Sequence, residues 1–180
     1  MTEFTEKATE ERDRGPRVVV GVDGSSGARA ALRFALEDAA RRGVPVDAVA
    51  AYRPPDVWMD FYAVDDLEVD RQRAAAVEKA EAFVADVRRE LPGPAPESRV
   101  RAVMGAAAET LIRESAGADL LVVGSRGHGG FSSMLLGSVS MQCALHATCP
   151  VTVVHSPEAS RHRLRLRREH AARTAPAAAD

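Results

Sequence analysis

Leu120 to Ser140 reads LLVVGSRGHGGFSSMLLGSVS. Leu120 to Val123 is an apolar run that breaks into a turn carrying Gly124, Gly127, Gly129 and Gly130. Nine residues, His128 to Leu136, separate that turn from a second small pair, Gly137 and Ser138. Glycines at the end of a strand let main-chain N–H groups approach an anion closely, and a Gly-Ser pair opening a helix adds free amides at the positive end of the helix dipole. The stretch therefore reads as a strand, a phosphate cradle in two halves, and a helix, with the intervening loop over or beside the ligand.

Working outward, the same alternation continues. Arg17 to Val22 (RVVVGV) is β-branched without polar alternation, as expected of a strand buried on both faces of a parallel sheet. Asp23, Gly24 and Ser25 end it. From Ser26, Ala28, Ala31, Leu32, Ala35, Leu36 and Ala39 recur at helical spacing until Gly43 and Pro45. Val46 to Tyr52 is a second strand, and Pro54 with Pro55 opens a long connection through Trp58 and Tyr62, read as a lid or apolar cover. Asp65 and Asp66 can cap a helix whose Val77, Ala80, Val84, Val87 and Leu91 keep helical spacing to Pro92. Arg99 to Val103 alternates in part, which suits an edge strand, and Gly105 turns the chain into a short helix around Ala108, Leu111 and Ile112. A helix from about Ser138 to Ala147 and a strand from Val151 to Val154 follow the quoted stretch. Strand and helix alternate throughout, so the fold class is α/β with a parallel sheet. If the first and fourth strands are neighbours where the strand order reverses, the turns at Asp23 and Gly124 face each other across one crevice, and one ligand touches both.

At 180 residues a single folded unit is expected, from 17 to 155, with a disordered acidic lead (1–16) and a basic disordered tail (156–180). No run approaches the ~18 apolar residues of a membrane span, and the start MTEFTEKATEERDR is not a secretion signal, so a cytoplasmic location is expected. Cys143 and Cys149 lack a metal-ligand spacing and read as packing residues. Arginine supplies nearly all the basic charge, Lys7 and Lys79 being the only lysines. Residues 156–180 hold six Arg against Glu158, Glu169 and Asp180. Such runs are usually solvated; as a functional segment this one suits RNA, an acidic partner or an anionic membrane surface.

Three phosphate-binding patterns fit these residues weakly, and the first is excluded. A Walker A loop needs Gly-Lys-Ser or Gly-Lys-Thr, and no lysine follows Lys79. A dinucleotide fingerprint needs G-x-G-x-x-G on the first strand-to-helix turn, whereas Gly21-Val22-Asp23-Gly24 has the wrong spacing. Response-regulator chemistry needs an acidic cluster, and Asp23 has no acidic neighbour in its turn. What fits is G-x-x-G, nine residues, then G-S: Gly124-Ser125-Arg126-Gly127, His128 to Leu136, Gly137-Ser138. With Gly21-Val22-Asp23-Gly24-Ser25 after the first strand and Cys149-Pro150-Val151-Thr152-Val153-Val154 at the close, this resembles the nucleotide-binding branch of the universal stress protein family over roughly residues 17 to 155.

The resemblance implies a doubly wound, Rossmann-like sheet of five strands with helices on both faces, holding ATP in its crevice, usually within a homodimer; Mg2+ can accompany the nucleotide. Carried over to matching positions, Gly21 and Asp23 line the ribose side, and Gly124, Ser125, Arg126 and Gly127 with Gly137 and Ser138 hold the phosphates. Val123 beneath the turn and His128 and Gly129 in the loop complete that set. Val49 and Ala51 are walls for adenine, on the ground of strand alternation.

Each residue has a plainer alternative. Asp23 can simply cap the next helix, Ser138 can be only an N-cap, Arg126 can be solvated, and His128 lacks an orienting carboxylate in sequence. Val151 to Val154 is an apolar strand at the end of the sheet, where pairing with its twin in a homodimer would cover the edge. The functional expectation is a nucleotide-occupied stress-response switch or sensor with no catalytic residues and at most slow hydrolysis. Its rivals are an adenylating ligase, which would carry an S-G-G-x-D-S type loop after the first strand, and a ligand-free interaction module.

Overall fold

Short apolar runs build the centre of the sheet. In the computed structural model, which describes residues 15–53, 66–127 and 136–157, β1 (Val18–Gly21) and β4 (Leu120–Gly124) pair in parallel with Val18 opposite Leu120 and Val20 opposite Val122. β2 (Val46–Tyr52) lies on the other side of β1, with Val18 opposite Val46. β3 (Ser98–Met104) and β5 (Val151–Val154) form the two edges, so the order is β3-β2-β1-β4-β5 and every pairing is parallel. The chain starts in the middle, winds out to β3, then crosses back to β4. The reversal falls between β1 and β4.

Among the described residues four helices cover the two faces: α1 (Ser26–Arg42), α2 (Asp66–Arg89), α3 (Ala107–Glu114) and α4 (Ser138–His146). Because successive strand residues point to opposite faces, the central strands feed two cores at once. Val18, Val20, Leu120 and Val122 pack with Ala31, Leu32, Ala35 and Leu36 of α1 and with Ala80, Val84 and Val87 of α2. Their alternates Val19, Leu121 and Val123 pack on the opposite face with Leu111 of α3 and Cys143 of α4. This double burial is why these strands carry no polar alternation.

α1 is fixed at both ends. The Ser25 hydroxyl accepts the Ala28 amide at 3.1 Å, and Gly43 closes the helix in the left-handed region, its N–H returning to Ala39 O. Arg29 of α1 pairs with Asp86 of α2 and with Glu90 just past its end and lies over the Phe83 ring; the bond from Arg29 holds the Asp86 carboxyl below the usual carboxylate range.

Several element ends differ from the patterning: β1 starts at Val18, β3 spans Ser98–Met104 and β4 runs on to Gly124. β1 stops at Gly21 rather than Val22, one residue beyond the end of its pairing with β4. α2 ends at Arg89 rather than at Pro92, its exit tightened by bonds from Glu90 and Leu91 to the carbonyls of Val87 and Arg88. α4 ends at His146, because Ala147 is extended. Both cysteines pack as expected: Cys143 is buried, its thiol pushed up to about 11 by desolvation, and Cys149 lies against the same cluster. Trp58, Tyr62 and Asp65, with His128, Gly129 and the Arg-rich tail, lie outside the described residues. No described helix is long and apolar enough to cross a membrane.

Candidate functional site

The strand order places the exits of β1 and β4 side by side, and the turns that follow them touch. Asp23 Oδ1 accepts the Ser25 amide at 2.9 Å, which closes a turn over Gly24 in the left-handed region (φ 83°). Its second oxygen, Oδ2, lies 2.5 Å from where a Cβ on Gly127 would stand. A side chain at Gly127 would have to displace the Asp23 carboxylate.

The exit of β4 sits directly on the first turn of α1. A Cβ on Gly124 would lie 2.6–2.7 Å from the carbonyl of Gly27, and one on Gly27 would lie 2.0 Å from Arg126 O. Both contacts are with backbone, so neither can be relieved by a side-chain rotation. On the opposite side, a Cβ on Gly21 would meet Leu111 Cδ1 at 2.7 Å. These approaches open a crevice of about 250 Å3 between the strand exits, α1, α3 and α4.

Its two ends differ. Over β2 and α3 the wall is apolar: Val49, Ala51, Ala107 and Leu111. Over β4 and α4 it is largely main chain and polar, with Gly124, Arg126, Gly127, Gly137, Ser138 and Ser140 beside Val123 and Val139. The N–H groups of a helix's first turn have no intrahelical partner, so Ser138 and Val139 bring amides to this end. Arg126 lines it too, with its Nε atom buried and without a hydrogen-bond partner among the described residues. Among the described residues Asp23 is the only carboxylate lining the crevice, and no group of three or more His, Cys, Asp or Glu able to hold a metal ion is found among them.

Of the residues singled out in the sequence, Gly21, Asp23, Val49, Ala51, Val123, Gly124, Arg126, Gly127, Gly137 and Ser138 line one cavity. Ser125 does not line it. Only 1% exposed, it is a bracket: its amide donates to Val154 O at 2.7 Å, and its carbonyl accepts the Gly137 amide at 2.8 Å. Consequently the Gly137 N–H is already engaged, and what Gly137 offers a ligand is the space of its missing side chain. A Cβ there would make only ordinary contacts with the protein, 3.5 Å or more. Ser140, buried, anchors the same bracket through its hydroxyl, 2.9 Å from Gly137 O and 3.3 Å from Ser125 O.

Sequence reasoning missed Ser25, Ala28, Ala107, Leu111, Val139 and Ser140 as lining residues, and Gly27 as the residue that admits the β4 turn. Leu111 carried a signal, an apolar residue at helical spacing, but that spacing cannot distinguish a core from the wall of a crevice.

A doubly wound parallel sheet with a glycine-walled crevice at its switch point defines a class of α/β proteins. Within that class the chain belongs to the universal stress protein family, whose sequence profile matches residues 16–155. A universal stress protein of Mycolicibacterium smegmatis is 35% identical over 152 residues, 83% of this chain and 51% of that protein. One from Mycobacterium tuberculosis is 40% identical over 140 residues, 76% of this chain and 44% of that protein. The chain thus spans about half the length of the curated relatives it matches. Among solved structures, a universal stress protein in complex with cAMP is 28% identical with a TM-score of 0.55, covering 78% of this chain and 97% of that one. Universal stress protein UspA from Lactobacillus plantarum, 23% identical, has the same fold with a TM-score of 0.64 over 78% of this chain and 98% of that one.

Proposed function

We propose that this chain binds an adenine nucleotide, ATP in its resting form, and acts as a cytoplasmic nucleotide-dependent switch or sensor. The observation that carries the reading is the crevice's two unlike ends, one suited to a flat apolar base and the other to an anion. The solved relative that holds cAMP supports the adenine assignment.

The backbone of β2 supplies a reason for adenine over guanine. Val49 O accepts from Val22 N–H, whereas Tyr52 O accepts from Gly105 N–H on the β3 side, so alternate residues of β2 address opposite neighbours. Ala51 therefore presents both its N–H and its C=O toward β1, which has already ended at Gly21. No hydrogen bond to either group is made among the described residues. A donor beside an acceptor matches the ring acceptor and exocyclic amine of adenine, and opposes the ring N–H and carbonyl of guanine. Each mismatch leaves a buried polar group unpaired, so ATP is expected to bind at least about tenfold more tightly than GTP. Nucleotide released by heat from purified protein and resolved by chromatography is expected to be adenine nucleotide; released guanine nucleotide, or none from protein that also fails to take up ATP, overturns the reading.

Intact ATP rather than turnover is expected in that experiment. Asp23, the one lining carboxylate among the described residues, has an oxygen committed to the Ser25 amide, and no lysine lines the described crevice. Mg2+ arriving with the nucleotide would find Asp23 as its protein oxygen donor, the phosphates supplying the rest. Cys143 and Cys149 are unpaired thiols, as suits a reducing compartment.

The two sheet edges support a homodimer through β5. β3 carries Arg99 and Arg101, which discourage strand addition, whereas β5 is Val-Thr-Val-Val. On α4, next to β5, Met141 and Leu145 are 47% and 70% exposed and one helical turn apart. Sedimentation at micromolar concentration is expected to give the mass of two chains; a single-chain mass sinks the pairing.

A further inference from the structure

We infer that Arg126 is the residue by which the crevice counts phosphates, favouring a nucleoside triphosphate over the monophosphate. The inference rests on the adenine-nucleotide reading above and concerns the far end of the same crevice.

The geometry separates base from charge. The base end lies over β2, and Arg126 follows β4, two strands away, which at the ~4.8 Å spacing of neighbouring strands is about 10 Å. The main-chain amides of α4 and Arg126 share the other end, since a Cβ on Gly137 would lie 3.7 Å from the Arg126 Cα. A chain of three phosphates is long enough to engage both, whereas a single phosphate is not. The backbone of Arg126 is held, because its carbonyl fills the space left by the missing side chain of Gly27 at the first turn of α1. Arg126 is also the only cationic side chain among the described residues lining the cavity. Its Nε is buried and without a hydrogen-bond partner among those residues, a state that is costly until an acceptor arrives. Main-chain amides and a helix end supply only fractions of a charge, whereas a guanidinium stays fully charged and forms bidentate bonds to phosphate oxygens, so it favours the ligand that brings more phosphate oxygens within its reach.

Titration calorimetry of the full chain with ATP, ADP and AMP tests this, comparing wild type with Arg126→Gln and Arg126→Lys. The ATP-to-AMP affinity ratio is expected to fall about tenfold or more in Arg126→Gln, the size of one charge-assisted hydrogen bond to phosphate. Arg126→Lys, which keeps the charge but not the planar fork, is expected to lose less of the ratio, and serves as the folded comparison if the glutamine chain melts early. Equal losses for ATP and AMP would assign Arg126 to the first phosphate or to loop support and overturn the inference, as would an unchanged ratio in both variants. Wild-type protein that binds none of the three nucleotides would overturn the functional reading itself, a result distinct from either.

Discussion

Gly27→Ala is expected to abolish measurable adenine-nucleotide binding and to destabilise the fold by roughly 1–3 kcal/mol, the range for forcing a methyl into a packed site. Helix propensity alone predicts the opposite sign, since alanine in place of a helical glycine ordinarily gains roughly 0.5–1 kcal/mol. The contact decides which effect wins. The added Cβ would lie 2.0 Å from Arg126 O, far inside any tolerable approach, and the obstructing atom is backbone. Either α1 moves away from the β4 exit or the Arg126 peptide is displaced, and both shift Arg126 and Gly127 relative to Asp23. Gly137→Ala is the informative partner, because its Cβ would make only ordinary protein contacts while entering the crevice. That chain is expected to keep its stability within about 0.5 kcal/mol, as an uncrowded substitution does, and still lose nucleotide affinity. Urea denaturation and ATP titration of both variants read the outcome. A Gly27→Ala protein more stable than wild type would show that the turn after β4 tolerates displacement and that the close approach has no role.

These two glycines also mark how far the sequence could be read. Gly124, Gly127 and Gly137 stand out because they cluster after an apolar run, and clustering is visible in one dimension. Gly27 follows Ser25 and Ser26 and looks like an indifferent helix start; its requirement comes from Arg126, ninety-nine residues later, and no local pattern carries it. The strands at the middle of the sheet were legible for a local reason, since burial on both faces leaves an unbroken apolar run. Ser125 misled in the other direction. Its place between two cradle glycines made it a lining candidate, yet register sends its amide to Val154 and its carbonyl to Gly137, so it joins β5 to α4 below the crevice floor. Element type follows from spacing. Which side of a wall a residue faces follows from packing.

Arg17 was read only as the start of a strand, and it is the basis of the second large effect: Arg17→Met is expected to cost roughly 3–5 kcal/mol, the range for breaking a buried ion pair by removing one partner. Arg17 is 1% exposed, and its guanidinium closes the C-terminal end of α3, donating to Ala116 O at 2.9 Å and to Glu114 O and Gly117 O at 3.4 Å, while Nε faces Asp47 Oδ2 at 3.4 Å. Glu114 O is one of the carbonyls a helix end leaves without a partner, Ala116 and Gly117 form the turn that follows, and a cation there also meets the negative end of the helix dipole. Removing it strands Asp47, itself 3% exposed, as an unmatched buried charge. Most of the expected loss belongs to that stranded carboxylate, so the double variant Arg17→Met with Asp47→Leu should recover a large part of it, and a double-mutant cycle by urea denaturation measures how much. The effect reaches the crevice through α3. Ala107 and Leu111 line its apolar end, and Leu111 rests on Gly21, so a frayed α3 loosens the wall under the base while the anion end at α4 keeps its own anchors in Ser125 and Ser140. Adenosine affinity in Arg17→Met should therefore fall at least as far as ATP affinity. Equal stability of the single and double variants would locate the cost in the lost carbonyl bonds of α3 instead, making Arg17 a helix cap whose partner Asp47 is incidental.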